Sequence, residues 1–102
     1  MNIDHDKSWQ NFLSSTKKAS SKGLLNDFLK FYLTDDEIKM LGLRYELITK
    51  LIAGTISQRD ISKTLGISIS KVTRGSNELK RISEELKEFI TKEQKGNKDD
   101  KT

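Results

Sequence analysis

From Ser70 to Arg81 the sequence gathers Ser70, Lys71, Thr73, Arg74, Ser76, Asn77, Lys80 and Arg81 into one short stretch. The chemistry open to this set is recognition. Ammonium and guanidinium groups meet phosphate oxygens, whereas amide and hydroxyl groups reach base edges in a nucleic-acid groove. Covalent chemistry has little to work with, because the chain has no cysteine and a single histidine, His5. That removes thiolate metal sites, most nucleophile–base pairs and the usual imidazole ligands, and no carboxylate pair suited to acid–base work stands out. Neither an enzyme nor a bound metal is expected.

The elements that must present those side chains lie between Ser57 and Lys80, SQRDISKTLGISISKVTRGSNELK. Ile61 and Leu65 sit four apart on one face of a short helix, with Ser62 as a small residue where a second helix comes close. Gly66 ends that helix, since glycine accepts the left-handed backbone of a helix C-terminus. Ser68 is an N-cap for the next helix. There Ile69, Val72, Leu79 and Ile82 draw one apolar stripe, and the polar set above lies opposite it. Helix, glycine turn, helix is the pattern of a DNA-binding helix-turn-helix, whose second helix enters the major groove. The alternative is an αα-hairpin that packs within a helical domain and touches no nucleic acid.

Charge supports the first reading. The whole chain carries +4, yet between Arg44 and Arg81 eight basic residues stand against three acids. A basic surplus confined to one module is the footprint of a nucleic-acid binder. With 102 residues and 33% hydrophobic content the chain buries little as a monomer, so association with a second copy is the natural remedy. No apolar run approaches a membrane span, and MNIDHDKSWQ lacks the basic and apolar regions of a signal peptide. A cytoplasmic protein without membrane contact is expected.

Taken in order, residues 1–7 are expected as a flexible arm. Trp9, Phe12, Leu13 and Thr16 mark a helix from about Ser8 to Ser20, stopped by SSKG. Leu24, Leu25, Phe28, Leu29, Phe31, Tyr32 and Leu33 form a short helix apolar on several sides, which needs cover that a partner subunit would supply. Thr34 to Glu37 reads as a capping box for a longer helix striped by Ile38, Leu41, Tyr45, Ile48 and Ile52 and closed by Gly54. Ser57 with Asp60, and Ser83 with Glu84 and Glu85, repeat the capping signal. Leu86, Phe89 and Ile90 line a last helix. The expectation is an all-α chain of six helices: one domain over 8–93, a helix-turn-helix at 57–81, and a disordered tail over 94–102.

Several of these stretches together resemble the tryptophan repressor family. ISQRDISKTLG is similar to that family's first hairpin helix and turn, and VTRGSNELK to its TRGSN-x-LK recognition helix. The likeness runs ungapped through LTDDE and LGLRYELI and covers roughly Trp9 to Ile90. It implies an intertwined homodimer that binds L-tryptophan, a small-molecule amino acid, as corepressor, and then double-stranded operator DNA of palindromic sequence.

The resemblance also assigns roles. Arg44 and Arg74 would hold the indole between guanidinium planes. Thr34, with the segment Leu29, Phe31 and Leu33 of the other subunit, would meet the head group. Gly75 would leave room beside the ligand, and Glu78 would face its ammonium. Gln58, Arg59, Lys63, Ile69, Ser70, Lys71, Thr73, Arg74, Ser76, Asn77 and Lys80 would meet DNA, partly through bridging water. The residues taken singly leave other roles open: Arg44 as a surface residue, Arg74 as a phosphate contact only, and Thr34 as an N-cap. Three positions depart from the family: Glu78 replaces a small hydroxyl residue, Ser62 a lysine, and Lys71 a threonine.

Overall fold

The computed structural model describes residues 2–99, and among these every regular element is helical. The helices are α1 (His5–Ser21), α2 (Leu25–Tyr32), α3 (Asp35–Ala53), α4 (Gln58–Leu65), α5 (Ile69–Arg81) and α6 (Glu84–Asp99). Their starts follow from capping chemistry. The Thr34 N–H donates to Glu37 Oε1 at 2.9 Å, and the Glu37 N–H donates to Thr34 Oγ1 at 3.1 Å, a reciprocal capping box. Hydroxyls of Ser57, Ser68 and Ser83 accept from the N–H groups of Asp60, Lys71 and Leu86. Each satisfies an amide that the helix itself leaves without a partner.

Both ends depart from expectation. The first helix starts at His5, inside the expected arm, because the Asp4 carboxylate accepts from the Lys7 N–H at 3.1 Å. Apolar spacing starts only at Trp9 and hides that cap. At the other end α6 continues to Asp99, through most of the expected disordered tail. Lysine, glutamate and glutamine are strong helix formers, and one glycine, Gly96, costs only about 1 kcal/mol against a helix already begun. Residues 100–102 of that tail, and Met1 of the arm, lie outside the described residues.

Contacts group into two compact units, one up to Met40 and one from Leu41 onward. In the first, α1 and α2 pack through an aromatic cluster. The Phe12 ring stands 5.9 Å from Trp9, 5.6 Å from Phe28 and 5.5 Å, edge-on, from Tyr32. Such geometries add to area burial because ring edges and faces carry opposite partial charge. The cluster still leaves much surface outside: Phe31 is 81% exposed.

In the second unit a small core joins three helices. Leu47 of α3, Ile61 of α4 and Val72 of α5 are buried, with Leu51, Leu65 and Ile67 packed around them. Ile61 is 1% and Val72 0% exposed. With so few fully buried side chains, each carries a large share of the stability. Ile61→Ala should cost about 2–5 kcal/mol and Ile61→Val about 0.5–1.5 kcal/mol. Urea unfolding followed by circular dichroism measures both, and equal midpoints for the two variants would contradict this account of the core.

Candidate nucleic-acid interface

The turn between α4 and α5 is closed by three bonds. Gly66 is left-handed, at φ 67° and ψ 33°, and its N–H donates to the Ser62 carbonyl. The Ile67 N–H donates to the same carbonyl at 3.2 Å, and the Ser62 hydroxyl returns a bond to the Ile67 carbonyl at 2.5 Å. Ser62 is thus more than a small residue at a crossing point. It ties the end of α4 to the start of the next helix, a role its position in the sequence does not announce.

The turn and the buried pair Ile61 and Val72 fix which face of α5 points outward. Gln58, Arg59, Lys63, Ile69, Ser70, Lys71, Thr73, Arg74, Asn77 and Lys80 are exposed, as contact with DNA requires. Ser76 is half-buried and lies toward the packed side. Ile69, assigned by spacing to the apolar stripe, is 47% exposed. The Thr73 hydroxyl donates to Gln58 Oε1 at 3.3 Å, so the exposed faces of the two helices are joined by a side-chain bond.

A groove of about 480 Å³ runs along α5, lined by Ile69, Ser70, Thr73, Arg74, Asn77, Glu78 and Arg81. It brings the carboxylate of Glu78 together with two cations, Arg74 and Arg81, among polar and apolar neighbours. At its end Arg81 Nη1 lies 3.5 Å from Glu78 Oε1. Arg81 is on the polar face by spacing but outside the assigned DNA contacts. The signal that pairs it with Glu78 is their separation of three residues on one helix.

Arg44 is exposed on α3 and does not line that groove. The Thr34 hydroxyl is engaged as a cap acceptor and keeps its own proton to donate. Leu29 and Leu33 are half-buried, and Phe31 is exposed. Gly75 is packed closely against α3. A Cβ there would lie 2.9 Å from Leu47 Cδ2 and 3.5 Å from Leu51 Cδ1, so the space is filled by α3 side chains of the same chain. This glycine lets α5 close onto α3.

A sequence model of the Trp repressor protein family matches residues 7–94. The chain belongs to that family. It is 37% identical over 93 residues to a Trp operon repressor homolog of Chlamydia trachomatis serovar D, covering 91% of this chain and 99% of the relative. A homolog of the same name from Mannheimia succiniciproducens is 36% identical over 84 residues, 82% of this chain and 83% of its own. One from Photobacterium profundum is 38% identical over 82 residues, 80% of each chain. The all-helical architecture agrees with this family membership. No helix among the described residues is long and apolar enough to cross a membrane.

The close contact at Gly75 gives a test of what orients α5. In Gly75→Ala the helix gains about 1 kcal/mol of propensity, but the new methyl collides with the buried Leu47, and overpacking of this kind costs about 1–3 kcal/mol. A net loss of stability is expected, partly relieved in Gly75→Ala/Leu47→Ala relative to the sum of the single variants. Thermal melts of the four proteins measure it, and strict additivity would show that the two positions do not meet.

Proposed function

We propose that the protein is an L-tryptophan-dependent transcriptional repressor that binds a palindromic operator as an intertwined homodimer. The observation that carries this reading is the α4–α5 arrangement. A left-handed glycine turn and two buried side chains hold α5 so that Lys71, Thr73, Arg74, Asn77 and Lys80 all face outward. A helix presented in this way fits the major groove as the second helix of a helix-turn-helix, with Gln58, Arg59 and Lys63 of α4 near the backbone. Ser76, being half-buried, contributes at the margin of that face.

Exposed apolar surface supports the dimer. Tyr45, Ile48, Phe89, Ile90 and the stems of Glu93 and Gln94 line an apolar groove of about 350 Å³, with Phe89 61% exposed. Trp9 and Phe31 are exposed as well. A second copy of the chain covers such surfaces and doubles the recognition helices, which a two-fold operator requires.

The α5 groove supports an amino-acid ligand. Arg74 offers a guanidinium plane to an aromatic ring or a carboxylate, and Glu78 offers a carboxylate to an ammonium group. In this reading Arg44 closes the other side of the ring. Thr34 and the segment Leu29, Phe31 and Leu33 of a second copy meet the head group. Ligand binding then favours the orientation of α5 that fits DNA, to the extent that it binds that form more tightly. The site of action is the cytoplasm.

Selection from random duplexes, with and without L-tryptophan, tests the proposal. With ligand it should return a two-fold symmetric site whose half-sites lie about one helical turn apart, with affinity that falls steeply as salt rises. Saturating L-tryptophan should also raise the melting temperature, since about a hundredfold excess over Kd adds about 2.7 kcal/mol. A steep salt slope without any thermal shift would leave a ligand-independent regulator. No selected site, with a flat salt slope, would leave a helical interaction module.

A further inference from the structure

Glu78 is the one acid on the outward face of α5, and it stands among cations. Arg74 precedes it by one helical turn and Arg81 follows three residues later, so all three share a face and line the same groove. Its carboxylate is bound to Arg81 at 3.5 Å, and both side chains are open to solvent, at 62% for Glu78 and 74% for Arg81. Two consequences follow for a polyanion approaching this face. The carboxylate repels phosphate, and the arginine that could meet phosphate is already occupied. An exposed pair of this type is weak and exchanges partners readily.

We propose that Glu78 is a charge brake on DNA binding, released by the ammonium group of a ligand in the α5 groove. In the free chain Glu78 holds Arg81 and opposes phosphate. When Glu78 instead pairs with a ligand ammonium, its charge is compensated from within the groove and Arg81 turns to the DNA backbone. Arg81 thereby becomes a phosphate contact available chiefly in the liganded state. This rests on the reading of the chain as a ligand-dependent repressor, and adds to it a residue pair that makes DNA affinity depend on the ligand's amino group. Both residues lie at the surface, so neither is needed for folding, and Glu78→Gln preserves the shape of the side chain.

The test is fluorescence anisotropy of a selected operator duplex and a scrambled duplex, titrated with wild type, Glu78→Gln, Arg81→Gln and the double variant across a salt series. Each is measured alone, with L-tryptophan and with indole-3-propionate, which lacks the ammonium. Melting temperatures should agree among the four proteins. Without ligand, Glu78→Gln should bind both duplexes roughly three- to tenfold more tightly than wild type, with a salt slope steeper by about two as the Arg81 of each protomer joins a phosphate. The double variant should lose that gain. L-tryptophan should enhance operator binding by wild type more than indole-3-propionate does, and the two should act alike on Glu78→Gln.

If Glu78→Gln matches wild type in ligand-free affinity and slope while wild type responds to L-tryptophan, the brake is wrong and the repressor reading stands. If Glu78→Gln tightens binding but both ligands act alike on wild type, release by the ammonium is overturned. If wild type binds neither duplex at any salt, the repressor reading fails and this proposal fails with it.

Discussion

The contact on which the second unit depends is the closure of Ile61 and Val72 against Leu47. Helices of eight and thirteen residues do not persist in water by themselves, because forming the first turn is costly and short helices return few bonds for it. What stabilises α4 and α5 is the apolar surface they share with α3. That same burial sets their rotation. With Val72 fully enclosed, residues two and five positions further along the helix fall on the opposite face and must point outward, and Arg74 and Asn77 do so. The polar face is therefore a consequence of the core and needs no interactions of its own to be displayed.

Closeness at this crossing explains two small residues. At Gly75 a methyl would meet Leu47, so the helix forgoes the propensity of alanine to bring its axis nearer α3. At Ser62 a short side chain fits beside the turn and binds the Ile67 carbonyl. A lysine there could not make that short bond. Lys63, next along and exposed, retains a cation near the same end of α4.

Much of this was legible in the sequence, and the legible parts share a cause. Caps at Thr34, Ser57, Ser68 and Ser83 and the break at Gly66 depend on residues three or four apart, so their chemistry is written locally. The number of helices, their all-α class and the outward set on α5 follow from such signals and from the 3.6-residue period. Less legible were features set by composition without pattern, such as the continuation of α6 to Asp99, or by a cap with no apolar stripe behind it, as at Asp4. Least legible were contacts across helices. Nothing local tells that Leu47 fills the space at Gly75, or that a chain of this length groups its contacts into two units. Family resemblance gives Gly75 a place beside a ligand, and the packing against Leu47 is a second constraint that only the tertiary structure reveals.

One cross-helix bond bears on how rigid the exposed face is. Thr73 donates to Gln58 Oε1, which leaves the amide NH2 of Gln58 as the group turned to other acceptors. Two residues assigned separately to DNA are then not independent, since the hydroxyl of one orients the amide of the other. At 3.3 Å between exposed groups the bond is weak, and water competes for both partners. Its effect is to narrow the range of side-chain positions before any ligand arrives, which lowers the ordering cost of binding. Glu78 and Arg81, on the same face, act in the opposite sense: their pairing orders two side chains in an arrangement that suits solvent better than a polyanion. The surface of α5 is thus preset at its start, where Thr73 and Gln58 meet, and adjustable at its end, where the charges can change partners.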